Sequence, residues 1–220
     1  MNFKPFRLIE IDALRGVAIT AMVVFHGAID WQLLTGWEFQ AYVWPWIVPV
    51  RMVQWLFLGL VGVSIALSRR TFMEQVQRGA MVFWFGMWVS LATAIVYPEW
   101  YVRFGVLHCI GVCIPLVRIF KGRPLAALLM AGAAWAVSVV LPLEPLPALD
   151  YFPVLPWVAA PLVGLAVGEW FYGRGEPTPL KVLGAVPGLA AMGRHSLVIY
   201  LLHQPILYFT LWGLKILINE

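Results

Sequence analysis

Charge is scarce in this chain. Only 12% of its 220 residues are Asp, Glu, Lys or Arg, where a soluble domain carries about a quarter. Cysteine is scarcer still. Cys109 and Cys113 are the only two, four apart in an apolar stretch, which puts them on one helix face, a poor geometry for a disulfide and too few ligands for a metal. They read as packing residues. The four histidines are scattered, with no HExxH and no paired-Cys spacing, so a metal site is not expected. A GxSxG elbow, a Walker loop and a dinucleotide glycine loop are all missing, which excludes the common soluble hydrolase and nucleotide-binding designs. No polar block is long enough for a second domain, so 1–220 reads as a single domain. No internal repeat divides the chain into matching halves, which weakens a secondary-transporter reading.

Apolar residues fill the space. They make up 62% of the chain, with a mean hydropathy of +0.84. This is the composition of an all-α, polytopic transmembrane helix bundle, set by lipid as much as by burial. At about 20 residues per crossing, seven spans are predicted, near 13–34, 46–68, 79–97, 104–120, 124–142, 152–172 and 195–217. The loops alternate. Lys4 and Arg7, then Arg69, Arg70 and Arg78, then Arg118, Lys121 and Arg123, then Arg174, Lys181 and Arg194 fall on one side. The other side holds Arg103 and, near the last end, Lys215, and is rich in aromatics and proline: WEFQAYVWPW, YPEWY, LEPLPALDYFP. The positive-inside rule then predicts a cytoplasmic N-terminus and a C-terminus outside. It also accounts for the net charge of +4 without nucleic acid. The N-terminal run is long, interrupted by charge and without a small-residue cleavage site, so it is expected to be a span rather than a signal peptide. Residues 176–193, EPTPLKVLGAVPGLAAMG, are too broken by Pro and Gly for a normal span. They suit a linker, an interfacial helix or a re-entrant piece.

The first span, LRGVAITAMVVFHGAID, carries Arg15, His26 and Asp30, with Asp12 just before it. At 100° and 1.5 Å per residue, Arg15 and His26 lie about 20° apart around the axis and ~16 Å apart along it. Asp12 and Asp30 fall about 60° from Arg15, so all four form one stripe. Ionisable groups at membrane depth face a bundle interior or a wet cavity. Asp30, four residues after His26, is placed to bond a ring nitrogen and leave the other free as a base. Asp12 and Arg15 equally suit a plain i,i+3 pair at the helix end.

Three further places carry polar groups. His108 lies in FGVLHCIGV, and His203 in SLVIYLLHQPIL, followed by Gln204 and Pro205. Pro205 is expected to kink its helix and free a carbonyl near Leu201. Arg51 needs a partner, for which Asp30 and Glu38 have the right depth. In FLGLVGVSIALSRR, Gly59, Gly62 and Ser64 have helix-packing spacing, and such small-residue faces also suit a homodimer. Arg69 and Arg70 orient the span or bind phosphates. Arg194 and His195, before the last span, stand where a helix N-terminus favours an anion.

Taken in order, RLIEIDALRGVAITAMVVFHGAID, FLGLVGVSIALSRR, FGVLHCIGV, DYFPVLPW and GRHSLVIYLLHQPIL resemble the prokaryotic relatives of heparan-α-glucosaminide N-acetyltransferase, within a transmembrane acyltransferase superfamily. The Arg15–His26 spacing also resembles the motif of the sugar O-acetylases of the membrane acyltransferase-three family. The resemblance runs nearly end to end and implies a multi-pass protein of a prokaryotic plasma membrane. It implies transfer of an acetyl or other short acyl group from cytoplasmic acyl-CoA, as donor substrate, to an amine or hydroxyl acceptor such as a sugar or glycan on the far side. The eukaryotic enzyme's histidine lies after its first span, where this chain has WQLLTGWEFQAY, so the assignment rests on His26. The expected catalytic set is His26, Asp30, His108 and His203. Asp12, Arg15, Ser64, Arg69, Arg70, Arg194, His195 and Gln204 are expected to hold the acyl-CoA. Two other classes share these residues: a proton-coupled or small-molecule transporter using the polar stripe, and an assembly protein that needs none of its charges.

Overall fold

A computed structural model describes residues 8–37, 40, 42–141, 147–172 and 186–218. The described residues form helices and no strand; Phe104 and Tyr151 make one isolated bridge. The helices are α1 (Ile9–Thr35), α2 (Ile47–Leu67), α3 (Phe72–Val96), α4 (Val106–Arg118), α5 (Pro124–Val140), α6 (Val154–Trp157), α7 (Ala159–Tyr172), α8 (Pro187–Arg194) and α9 (Ser196–Ile218). Lys4, Arg7, Glu38, Arg174 and Lys181 lie outside the described residues.

Five segments are long and apolar enough to cross a membrane: α1, α2, α3, α6 with α7, and α9. Large apolar side chains such as Ile95, Leu129, Val140 and Leu217 stand exposed, as lipid-facing residues do. Two of the seven expected spans are shorter helices. α4 has 13 residues and α5 has 17, about 20 and 26 Å of helix against a hydrocarbon core of about 30 Å.

Local chemistry moved several boundaries. α1 starts four residues before the expected span, which places Glu10 and Asp12 inside it, both buried. Gly36 ends α1 in the left-handed region at φ 75°, its N–H donating to the Gln32 carbonyl, a conformation that glycine adopts without strain. α3 starts at Phe72 because Thr71 and Glu74 form a capping box: the Glu74 N–H donates to Thr71 Oγ1, and the Thr71 N–H donates to the Glu74 carboxylate. Arg78, expected in a loop, is therefore inside a helix. Leu155, before Pro156, is extended at φ −95°, ψ 129°, as a residue preceding proline prefers, and it kinks the short α6 from within. Pro205 lies inside α9, which continues through it.

The chain sorts into two compact units, Met1–Phe57 with Thr178–Glu220, and Leu58–Pro177. In the first, α1 packs on α8 and α9. The contact with α8 is backbone on backbone. A Cβ on Gly16 would collide with the Leu189 carbonyl, and one on Gly193 with the Asp12 carbonyl. In the second, α3 packs on α4, where a Cβ on Gly79 would lie 2.5 Å from the Gly111 oxygen. α5 packs on α7, and its buried residues Ala127, Ala131 and Ala134 are spaced along one helix face. Gly62 abuts the Pro161 carbonyl and Gly164 the Gly59 carbonyl. The packing expected of Gly59 and Gly62 is thus made within the chain.

Candidate active site

The first unit gathers four of the expected polar residues between α1 and α9. His203 is buried and His26 half-buried, with ring centroids 4.9 Å apart. His26 Nδ1 lies 3.2 Å from His203 Nε2, and His203 Nδ1 lies 2.7 Å from the Tyr200 carbonyl. The carbonyl only accepts, so His203 Nδ1 carries the proton. In a neutral ring Nε2 is then a bare acceptor, and His26 Nδ1 must be the donor. The Met22 carbonyl, one turn back, is a further acceptor for the His26 ring. His26 Nε2 is left without a proton, which is the form of a general base.

Asp30 is 3% exposed. Its Oδ1 accepts from Gln204 Nε2 at 2.8 Å, and its Oδ2 is buried with no hydrogen-bond partner. The expected His26–Asp30 bond is not made among the described residues, and neither is an Asp30–Arg51 pair. Both α1 side chains turn toward α9, which offers each a partner. Arg51 instead donates to Gln54 Oε1 at 3.0 Å. Gln204, expected at the acyl-CoA, is the residue that holds Asp30.

At the other end of the stripe, Arg15 Nη1 pairs with Asp12 Oδ1 at 3.0 Å. This is the plain i,i+3 geometry that the spacing allowed. Thr20 Oγ1 donates to the Gly16 carbonyl at 2.7 Å and touches Met192 Sδ at 3.5 Å, tying the middle of α1 to α8. Arg194 and His195 are exposed at the α8–α9 junction. The His195 N–H closes α8 on the Ala191 and Met192 carbonyls.

His108 belongs to the second unit. It is 1% exposed, edge-on to Phe83 and stacked on Phe104, with centroids 5.0 and 5.4 Å away. Its Nδ1 accepts the Gly105 N–H at 3.1 Å, so the proton sits on Nε2, which is buried without a partner. Asp150, from the DYFP motif, caps the same helix by accepting the Val106 N–H at 3.0 Å. Burial pushes the Asp150 carboxyl up to about 6, against a smaller opposing effect of that bond. Asp150 opens the DYFPVLPW motif, but its partner lies 44 positions away and no local pattern marks it as a cap. Ser64 donates to the Leu60 carbonyl one turn back, and Arg69 and Arg70 are exposed after the end of α2. Cys109 and Cys113 are buried free thiols, 3.8 Å apart.

The sequence model of a family described as heparan-alpha-glucosaminide N-acetyltransferase, catalytic, matches residues 7–205. The chain belongs to this family. The match begins ahead of α1 and ends just past His203 and Gln204, so both sides of the histidine pair fall inside it. The heparan-alpha-glucosaminide N-acetyltransferase family makes the chain a membrane-embedded transferase of acyl groups. No curated protein and no solved structure matches it.

Proposed function

We propose that residues 1–220 form one acyltransferase domain that moves an acetyl or other short acyl group from acyl-CoA to an amine or hydroxyl acceptor, a sugar or glycan, with His26 as the base. The observation that carries this reading is the tautomer chain, which leaves His26 Nε2 bare within a span. His26 takes the proton from the acceptor N–H or O–H as that atom attacks the thioester carbonyl. When the tetrahedral intermediate collapses and the C–S bond breaks, His26⁺ returns the proton to the leaving thiolate. His203 holds the His26 ring and, through its Nε2, stabilises the imidazolium. Asp30, locked on one side by Gln204, offers Oδ2 to an N–H or O–H of the acceptor. His108 keeps a place in this proposal as a buried N–H donor for an oxygen.

The family's own name supports an acetyl donor and an amino-sugar acceptor. Acyl-CoA would approach from the side where the arginines cluster, taken as cytoplasmic on charge in a prokaryotic plasma membrane, with the N-terminus on that side and the C-terminus outside. Arg15, Arg194 and His195 are the phosphate contacts of the first unit. Asp12 holds Arg15 in place. Arg69, Arg70 and Ser64 are assigned on charge and polarity alone. The ~16 Å helical rise from Arg15 to His26 suits an extended pantetheine arm.

The test uses His26→Ala and wild-type protein in membranes with labelled acetyl-CoA. A loss of about 10²–10⁴-fold is expected for the variant, together with a rise in the melting temperature of wild-type protein on adding acyl-CoA. Wild-type transfer by a folded His26→Ala protein would remove His26 from the chemistry. Indifference to acyl-CoA would favour a transporter.

A further inference from the structure

The second unit contains a cavity of about 470 Å³ where α2, α4 and α7 end and the α4–α5 turn passes. Leu67, Arg118, Lys121, Gly122, Glu169 and Tyr172 line it. None of these belongs to the histidine site.

Its cations are held in place, with Glu169 only a partial counter-charge to Lys121. Arg118 Nη2 reaches the Arg70 carbonyl at 3.4 Å, while its Nε is buried with no hydrogen-bond partner. The Lys121 ammonium donates to the Ser68 carbonyl. Burial, and then the nearby Arg118 charge, pull the Lys121 ammonium below its ordinary value. Two cations that disfavour each other, one with an unsatisfied donor, are what an anion between them would relieve. Among the described residues Glu169 is the one carboxylate lining the cavity, and its Oε1 is occupied by the Gly122 N–H at 2.6 Å. Arg69, Arg70 and Arg123 follow directly in sequence on the same helix ends, so the local balance is positive.

A second unsatisfied group points the same way. Gln75 is fully buried, and both ends of its amide lack partners. The antiparallel register of α3 and α4 sets Gly86 against His108 and Gly79 against Gly111 and Pro115. One further turn sets Gln75 opposite the Pro115–Ile119 turn that carries Arg118. The Arg118 Nε and the Lys121 ammonium lie at one helix end, with hydrogen-bonding capacity or charge to spare.

We propose that this cavity binds a phosphate group, with Arg118 and Lys121 as its ligands. A guanidinium and an ammonium in partial burial are the standard protein grip on phosphate oxygens. The group arrives on an anionic lipid headgroup or as a free phosphate. The helix ends lie where headgroups lie, and basic pockets between membrane helices take anionic lipids; Ala66, Leu67 and Tyr172 give the cavity an apolar side for the rest of such a molecule. Arg118, Lys121 and Glu169 have no part in the acyl-transfer reading, so the site survives its failure.

Two arms on the purified full chain in detergent separate the sources. Native mass spectrometry with phosphatidic acid or phosphatidylcholine reads retained lipid, and melting in inorganic phosphate against chloride at equal ionic strength reads the free ion. A lipid site retains one phosphatidic acid with at least tenfold preference over phosphatidylcholine. A free-phosphate site gives saturable stabilisation without lipid preference. In either case, Lys121→Met and Arg118→Met weaken binding about tenfold. Glu169→Gln, which can still accept the Gly122 N–H, tightens it severalfold, a gain that damage to the fold does not produce. Absence of saturable binding of both probes, or a Glu169→Gln protein that binds no more tightly than wild type, overturns the proposal.

Discussion

His203 Nε2 lies 3.2 Å from His26 Nδ1, joining the first long helix to the last across 177 positions. Because His203 Nδ1 is committed to the Tyr200 carbonyl, the bond has only one direction in the neutral pair. His203→Leu is expected to lower kcat about 10- to 100-fold, the range for losing a group that orients another, with KM little changed. His203→Gln, whose side-chain oxygen can accept from His26, should recover a good part of it. Steady-state kinetics on both variants separate orientation from simple packing, since a packing role gives no reason for glutamine to outperform leucine.

Asp30 and Gln204 make a second, independent link between the same helices. Gln204→Ala leaves a buried carboxylate with neither oxygen bonded, at a cost of about 1–3 kcal/mol or more. Asp30→Asn removes that charge and preserves the shape. The expected order of melting temperatures is therefore Asp30→Asn above Gln204→Ala. Acyl transfer should fall in both, with KM for the acceptor rising in Asp30→Asn.

Gly193 and Gly16 allow α8 to lie with its backbone on that of α1. Gly193→Val should displace α8 and lower stability by about 1–3 kcal/mol, the usual scale of overpacking. Gly213→Ala is the control. A Cβ there meets nothing within 4 Å, and helix propensity favours it by up to about 1 kcal/mol. Thermal unfolding of the two proteins should move in opposite directions.

Asp150 gives a pH dependence outside the spans. Its folded carboxyl titrates near 6, above the ordinary value of 3.8. Between those values the folded chain holds a proton that the unfolded chain has lost, so this group's contribution to stability falls as pH rises from about 4 to 6 and is flat above that. Asp150→Asn, which can still accept the Val106 N–H, should lack this slope and melt higher than wild type at pH 7. Melting curves from pH 4 to 8 read both effects.

The stripe of Asp12, Arg15, His26 and Asp30 was legible because helical spacing alone puts those residues on one side of a cylinder. The partners of His26 and Asp30 were not. They sit 177 and 174 positions away, and nothing in a local pattern ranks a neighbour four residues off below one on another helix. The Tyr200 carbonyl that orients the pair is backbone and leaves no trace in residue identity. Helix starts were legible in principle: Thr71 and Glu74 stand in the T-x-x-E spacing, but hydropathy set the boundary at 79. The apolar runs at α4 and α5 were legible, but not that the helices there would have 13 and 17 residues, since hydropathy does not show where a helix stops. The cavity at Arg118 and Lys121 was visible only as loop charge, since its Glu169 wall comes from another helix.

The chain of rings ends in an amide oxygen. That oxygen accepts a hydrogen bond but does not take up a proton at any ordinary pH, so a proton gained at His26 can travel no farther than His203. Such a chain is a cul-de-sac. On the proposed reading it stores one proton for the lifetime of an intermediate and gives it back on the side from which it came, as a group transfer needs.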